Sequence, residues 1–309
     1  MSIRFDGRVA IVTGAGAGLG RSHALGLAER GAKVVVVDMG GAVDGSGGSA
    51  NAAERVVEEI RDAGGEAFAS ALDVTDFAAV PAMAQDVLAR WGRIDILVNN
   101  AGILRDRTFA KMEMEDFRKV LDVHLMGSVH CTKAVWGTMR RQNYGRIVFT
   151  SSSSGLYGNF GQSNYGAAKA ALVGLMNVLH LEGRKHDIRV NTLAPTAATR
   201  MTEQLMSPQA LQLLRPENIT PGVLYLVSEV APSRTILCAG AGVFAQTVIT
   251  ETEGVYLDEA ERTPEGVAAH FAAISDTSNE SELTEAFHQT DKFVRMAAQH
   301  KGIDLKASR

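Results

Sequence analysis

Tyr165 and Lys169 stand at i and i+4 in the run SNYGAAKAALVGL. On a helix these two positions share a face. A phenol titrates near ~10 and is a poor base at neutral pH; bringing it to ~7 takes ~4 kcal/mol of preferential stabilisation of the phenolate. A lysine ammonium one turn away is a source of that stabilisation. Ser152 follows the apolar run GRIVFT, within the serines 151–154. A hydroxyl at that place holds a substrate oxygen beside the tyrosine, and I/i+4 chemistry becomes proton transfer. Taken singly, each signal has a plain reading. A Tyr/Lys pair is a common solvated pair on a helix, and a serine run is a polar loop whose acting member only the register can fix.

A second group of residues has the types that hold a dinucleotide. VAIVTGAGAGLGRSHAL reads as strand, glycine turn and helix, with Gly14, Gly18 and Gly20 in a G-x-x-x-G-x-G spacing, Leu19 between the last two, and Gly16 as an extra glycine. Such a turn lets the backbone approach a pyrophosphate, and the helix N-terminus then faces its negative charge. Asp38 ends the run VVVVD. An acid there accepts from the adenosine ribose hydroxyls and repels a 2′-phosphate. Ala17 brings no cation to the loop, and Arg21 is expected to point into the helix, so NAD is favoured over NADP. A turn-forming aspartate at a strand end is the other reading. Asn99, Asn100, Ala101 and Gly102 follow the run IDILV, where they order the strand edges and reach the adenosine side. Asp73, with Val74 beside it, is placed to accept from the adenine amino group.

These groups need a frame that brings strand ends together. Strand-like runs occur at Arg8–Thr13, Lys33–Val37, Ala67–Leu72, Ile94–Val98, Arg146–Thr150 and Ile188–Leu193. VAIVT, VVVVD and IDILV are almost wholly apolar, as strands buried on both faces are. Between the runs lie segments of helical spacing, such as Leu172, Leu175, Val178 and Leu179. The alternation predicts an α/β chain: a doubly wound parallel sheet of the Rossmann type, one catalytic domain over residues 1–242. Ligands bind such sheets beyond the carboxyl ends of the strands. GGAVDGSGGS, Gly40–Ser49, has the composition of a flexible loop. Beyond Val243 the rhythm changes to two short strands in FAQTVITETEGVYL and two terminal helices. Residues 243–309 are therefore expected to form an extension packed on the same core, too poor in apolar residues for a domain of their own.

Bulk properties exclude several classes. The formal charge is −4 in 309 residues, with no Lys/Arg stripe, so nucleic acid is not an expected partner. Cys131 and Cys238 are far apart and lack metal-ligand spacing; no metal or disulfide framework is expected, and a reducing compartment fits. The start has no leader pattern, the last residues no clear targeting signal, and no apolar run is long enough to span a bilayer, so no membrane and a cytoplasmic location are expected.

TGAGAGLG, Asp38, NNAG, Ser152 and Y-x-x-x-K, in this order and spacing, resemble the short-chain dehydrogenase/reductase family over residues 5–240. The resemblance implies an NAD-dependent oxidoreductase acting on a secondary alcohol, with Tyr165 as general acid/base. Lys169 and the positive nicotinamide ring lower the tyrosine, and Ser152 holds the oxygen. The nicotinamide carboxamide is met after the sixth strand, near Thr196 and Thr199. RFDGRV, NNAGILRDR and YGRIVFTSSSSGLYGNFGQSNYGAAK bring the chain nearer to the (3R)-hydroxyacyl-CoA dehydrogenase branch of that family. An acyl-CoA substrate is the expectation from this, with Arg105 and Arg107 as cations for the CoA phosphates. A hydroxysteroid or steroidal acyl-CoA is the alternative, and a catalytically inactive NAD-binding regulator a remote one. Two departures stand out. His124 occupies the place where many relatives carry an Asn that holds a proton-relay water, and Pro195-Thr196 replaces the usual Pro-Gly. The family also implies a homodimer or homotetramer, in which Glu113–Arg141 pairs with Ser163–Lys185 across a two-fold axis.

Overall fold

The computed structural model describes residues 2–49, 51–197 and 207–305. Contacts divide the chain into two compact units, Met1–Thr247 and Val248–Arg309. The first is built on an eight-stranded sheet. Its strands are β1 Val9–Thr13, β2 Lys33–Val37, β3 Ala67–Ser70, β4 Ile96–Asn99, β5 Gly145–Thr150, β6 Ile188–Thr196, β7 Ile236–Gly240 and β8 Val243–Thr247. The order is β3-β2-β1-β4-β5-β6-β7-β8, all parallel except β8. The chain reverses direction across the sheet between β3 and β4, which leaves a crevice beyond the carboxyl ends of β1 and β4.

Every residue of β1 is buried, and its side chains alternate between two cores. Val9 and Ile11 face one apolar cluster with Val35, Leu97 and Ile147. Ala10 and Val12 face the other with Val34, Ile96 and Val148. Helices α1 Gly18–Glu29, α2 Asn51–Asp62, α3 Ala79–Trp91, α4 Met114–Leu121, α5 Gly127–Gln142, α6 Ser153–Tyr157, α7 Ser163–Gly183, α8 Pro208–Leu213 and α9 Thr220–Leu226 belong to this unit.

Two strands differ from the sequence expectation. β7 carries no clear alternation: its run ILCAG buries Ile236 and Ala239 but only half-buries its other residues. β8 falls in the stretch assigned to the extension, yet it pairs antiparallel with β7 from Ile236↔Thr247 to Gly240↔Val243 and completes the sheet. The frame therefore runs to Thr247 rather than to residue 242.

The amino ends of the strands are held by charge. Asp95, fully buried, accepts from the Val9 N–H at 2.9 Å and pairs with Arg8 and Arg93. The Arg146 side chain is completely buried against the Tyr144 ring and pairs with Asp187 at 3.0 Å. Three more of its five donors meet the carbonyls of Ser228, Gly145 and Asp187. A buried guanidinium needs such partners to be tolerated.

A second polar contact joins α1 to α9. His23 is fully buried; its Nδ1 lies 2.9 Å from Thr220 Oγ1, Ser22 Oγ lies 2.6 Å from the same atom, and His23 Nε2 has no partner. Burial pushes this imidazole down to about 3. The folded chain therefore refuses a proton that the unfolded chain binds below its usual ~6.5. This group's contribution to stability is complete above pH ~6.5 and is lost as pH falls towards 3, at ~1.4 kcal/mol per pH unit. Urea unfolding at pH 7 and pH 5 should show His23→Gln to be less acid-sensitive than the unaltered protein. Parallel pH dependences in the two would refute the assignment.

Among the described residues, the second unit holds a two-stranded ribbon, β9 Thr250–Glu251 with β10 Ser281–Glu282, and three α-helices. The first expected helix divides at His270 into α10 Pro264–Ala269 and α11 Phe271–Ile274; the second is α12 Ala286–Lys301. Thr263 caps α10 by accepting from the Gly266 N–H at 3.0 Å. Lys292 of α12 donates to the Thr252 carbonyl at 2.8 Å and pairs with Glu251.

Candidate active site

A cavity of about 580 Å³ opens at the carboxyl ends of the strands. The glycine turn, Asp38, Asp73, Asn100, His124, Ser152, Tyr165, Lys169 and Thr196 all line it. Thr199 lies outside the described residues.

The turn after β1 is packed closely against the start of α1 and the end of β4. A side chain at Gly20 would sit 2.1 Å from the Gly14 carbonyl oxygen, so only glycine fits there. Asn100 Nδ2 donates to the carbonyls of Thr13 and Gly14 at 3.1 and 3.2 Å. Thr13 Oγ1 accepts from the N–H groups of Asn100 and Ala101, both at 3.0 Å. Asn100 and Ala101 thus lock β4 to the turn, and Thr13 is a partner the sequence signalled only as a strand residue. Asp38 accepts from the Gly16 N–H at 2.7 Å and from the Gly40 N–H at 2.6 Å. A Cβ at Gly16 would meet the Asp38 carboxylate at 2.8 Å, which makes the extra glycine a requirement of the acid beside it. Arg21 is paired with Glu59 of α2 and is not directed at the turn. Asp73 accepts from the N–H and the hydroxyl of Thr75, both at 2.8 Å, and Val74 is buried against Gly127.

The four serines separate by role. Ser151 Oγ donates to the Lys169 carbonyl at 2.8 Å, Ser153 is exposed, and Ser154 Oγ donates to Gln162 at 2.7 Å. Ser152 caps α6, where its hydroxyl accepts from the Ser154 N–H, and that hydroxyl favours the Tyr165 phenolate. Lys169 is buried, donates to the Thr150 carbonyl, and lies 5.5 Å from the centre of the Tyr165 ring. Burial pushes its ammonium down to about 7.

Without a cofactor, Tyr165 is not a low-pKa phenol. Burial raises its pKa, the Ser152 hydrogen bond opposes that rise, and Asp106 adds to it. The chain alone therefore does not produce a low phenol pKa, because the lysine faces the Thr150 carbonyl and the apolar surroundings penalise phenolate.

His124 lies in a π-helical turn, Asp122–Met126, between α4 and α5. Such turns carry one residue more than an α-helical path and recur at functional sites. The ring backs onto Gly102 and stands edge-on to Tyr165, with centroids 5.2 Å apart. Nε2 is 3.0 Å from the Ile103 nitrogen and 2.8 Å from its carbonyl oxygen, and the tautomer decides which is the hydrogen bond. Nδ1 is buried without a partner. Burial, and next the charge of Lys169, hold the imidazole well below its usual value, so it is neutral at pH 7.

Three further residues reach the site. Asn164, fully buried, accepts from the Tyr165 N–H at 2.7 Å and donates to the Arg105 carbonyl at 2.9 Å. Gln162 and Lys119 line the cavity. One of two adjacent cations in EDFRKVL or an asparagine inside SNYG gives no sequence signal until the fold is known. Of the two arginines expected to meet CoA, Arg105 is engaged with the Asp44 carbonyl and Asp116. Arg107 is exposed.

The fold and this cluster define an oxidoreductase, and the family model for short chain dehydrogenase matches residues 8–210. The chain belongs to the short-chain dehydrogenase family, enzymes that use a nicotinamide cofactor on secondary alcohols. It is 45% identical to the peroxisomal multifunctional enzyme type 2 of Mus musculus, over 94% of this chain and 41% of the mouse protein. The full-length structure of that enzyme from Drosophila melanogaster superposes with a TM-score of 0.80 at 40% identity, over 96% of this chain and 50% of the other. The chain thus spans half or less of these relatives. A 7α-hydroxysteroid dehydrogenase complexed with NADH and 7-oxo glycochenodeoxycholic acid matches with a TM-score of 0.69 at 33% identity, over 77% of this chain and 95% of the other. The cytoplasmic expectation does not stand: relatives from animals, a slime mould and fungi carry a peroxisomal name. Two distant cysteines fit any reducing compartment and do not single out the cytosol.

Proposed function

We propose that the chain interconverts a (3R)-3-hydroxyacyl-CoA and the 3-ketoacyl-CoA with NAD. The carrying observation is one cavity that joins the glycine turn and Asp38 to Ser152, Tyr165 and Lys169. Gly14, Gly18, Leu19 and Gly20 would hold the pyrophosphate, Asp38 the adenosine ribose, and Asp73 and Val74 the adenine. Ala101 and Gly102 border the same path, and Thr196 faces the nicotinamide end. The bound nicotinamide supplies the hydride acceptor and a positive charge beside the phenol.

On the protein side, Ser152 donates to the substrate oxygen and Tyr165 takes its proton. Lys169 favours the phenolate and holds the nicotinamide ribose. His124, neutral and with Nδ1 unbonded, passes the proton outward. Arg107 and Lys119 are the cations left for the CoA phosphates. A panel of (3R)-3-hydroxyacyl-CoA esters with NAD⁺, followed by NADH absorbance, tests the reading; no turnover on any ester would reject it. The second reading, a hydroxysteroid or steroidal acyl-CoA, is favoured by the hydroxysteroid dehydrogenase match and predicts turnover on the steroidal members only.

Cofactor preference follows from Asp38, Ala17 and the engaged Arg21. kcat/KM should favour NAD⁺ over NADP⁺ by at least roughly tenfold, the effect of placing a carboxylate against a 2′-phosphate. Asp38→Ala should narrow that ratio. Equal use of both cofactors by the unaltered protein would overturn the role given to Asp38.

The assembly follows the same family logic. α5 and α7 are long, and Val178 and Leu181 on α7 are exposed. We infer a homodimer or homotetramer through these helices, and light scattering at micromolar protein should give at least twice the chain mass. A monomer mass would refute it.

A further inference from the structure

The Gly40–Ser49 stretch, flexible by composition, is held in one shape. The Ser49 N–H donates to the Met39 carbonyl at 2.8 Å and the Ala42 N–H to the Ser46 carbonyl at 2.8 Å. Asp44 Oδ1 accepts from the Ser46 N–H at 2.9 Å and from its hydroxyl at 2.7 Å. The loop is then pinned to the segment after β4. The Leu104 N–H donates to the Val43 carbonyl and Arg105 Nε to the Asp44 carbonyl, both at 2.9 Å. Gly45 packs on Ile103 so closely that a Cβ there would lie 3.1 Å from its side chain. Arg105 is anchored at its other end by Asp116 of α4, at 2.8 Å, with both side chains about three-quarters buried at 26% and 30% exposure. Gly41, Ala42, Val43 and Gly45 all line the cavity, on the side where Asp38 begins the loop.

We propose that Arg105 is a positioning residue: it bolts the 40–49 loop to α4 and so makes that loop a fixed wall against the adenosine half of the cofactor. The proposal rests on the nicotinamide-cofactor reading. A glycine-rich loop free in solution would have to be ordered by each cofactor that binds, at a cost in affinity. The arginine orders it beforehand. Its two partners lie on different elements, one of them a carboxylate, which is a geometry the guanidinium fork satisfies and a single ammonium does not. The Arg105 carbonyl holds Asn164 through the backbone, so truncating the side chain leaves the Tyr165 support in place. The loss should therefore fall on KM for NAD⁺ more than on kcat.

The test is calorimetric binding of ADP-ribose, which carries the adenosine and pyrophosphate without nicotinamide. Arg105→Ala should weaken binding roughly tenfold, the scale of one lost hydrogen bond at a charged group, and Arg105→Lys should recover part of it. Unchanged affinity in Arg105→Ala overturns the proposal. So does an equal loss for nicotinamide mononucleotide, which never reaches the loop, because the arginine would then be a general support. If Arg105→Ala does not fold, Asp116→Asn decides: it should weaken ADP-ribose binding, and unchanged binding overturns the proposal. Failure of the unaltered protein to bind ADP-ribose is a different result and would overturn the cofactor reading itself.

Discussion

Tyr165→Phe should lower kcat by ~10²–10⁴, the range of a general acid/base group, while leaving NAD affinity within about threefold. The change deletes one oxygen and keeps the ring that stands edge-on to His124, so packing is preserved. What is lost is the proposed proton acceptor, whose phenolate the Ser152 hydroxyl favours. The pH profile offers a second readout. Burial raises the phenol in the protein alone, so oxidation should accelerate with pH through an apparent pKa that belongs to the Tyr165–Lys169 pair. With saturating cofactor, whose ring brings a positive charge, that apparent value should fall well below ~10. Stopped-flow turnover with the natural substrate checks both statements. Substantial turnover by Tyr165→Phe would remove the tyrosine from the mechanism.

Lys169→Met should have opposite effects on activity and stability. Turnover should drop by at least ~10² through loss of the charge beside the phenol and of the ribose contact. Stability in the absence of cofactor should rise. A buried ammonium held down to about 7 is protonated at lower cost in the unfolded chain, which binds the proton up to ~10.4. Between those two pH values the folded state binds fewer protons, so the penalty is complete below pH ~7 and fades as pH climbs towards ~10.4. Replacing the lysine with an apolar side chain of similar length removes a penalty on the order of a few kcal/mol at pH 7. Denaturant midpoints measured with kcat would show the trade. A variant both inactive and less stable would mean that the bond to the Thr150 carbonyl outweighs the desolvation, contrary to this account.

Much of the frame and cleft can be read in the chain because strong local patterns write them. VAIVT and VVVVD are apolar up to their last residues since both faces of β1 and β2 are covered. β7 escaped because ILCAG has neither alternation nor β-branched density, and its place comes from pairing with β6 and β8. The glycine turn, Asp38 and the Tyr/Lys pair declare themselves because each is a spacing along one segment. Thr13, Asn164 and the anchoring of Arg105 do not, since each depends on a partner from another part of the chain. The division of labour among Ser151, Ser152, Ser153 and Ser154 likewise needed the turn of α6, where the cap role sets Ser152 apart. The raised pKa of Tyr165 in the protein without cofactor is not legible in the sequence for a related reason. Sequence shows the cation one turn away but not the carbonyl that occupies it.

The charged cluster at the amino ends of the strands bears on how the protein responds to ionic strength. Arg146 and Asp95 have side chains closed to solvent, so dissolved ions have no approach to them and screen their pairings little. A pyrophosphate bound at the opposite ends of the same strands, as proposed above, would lie in a cleft that solvent reaches, where screening acts more strongly. Added salt is thus a one-sided variable for this molecule: it loosens the grip on an anionic ligand while the clamp beneath the sheet keeps its strength.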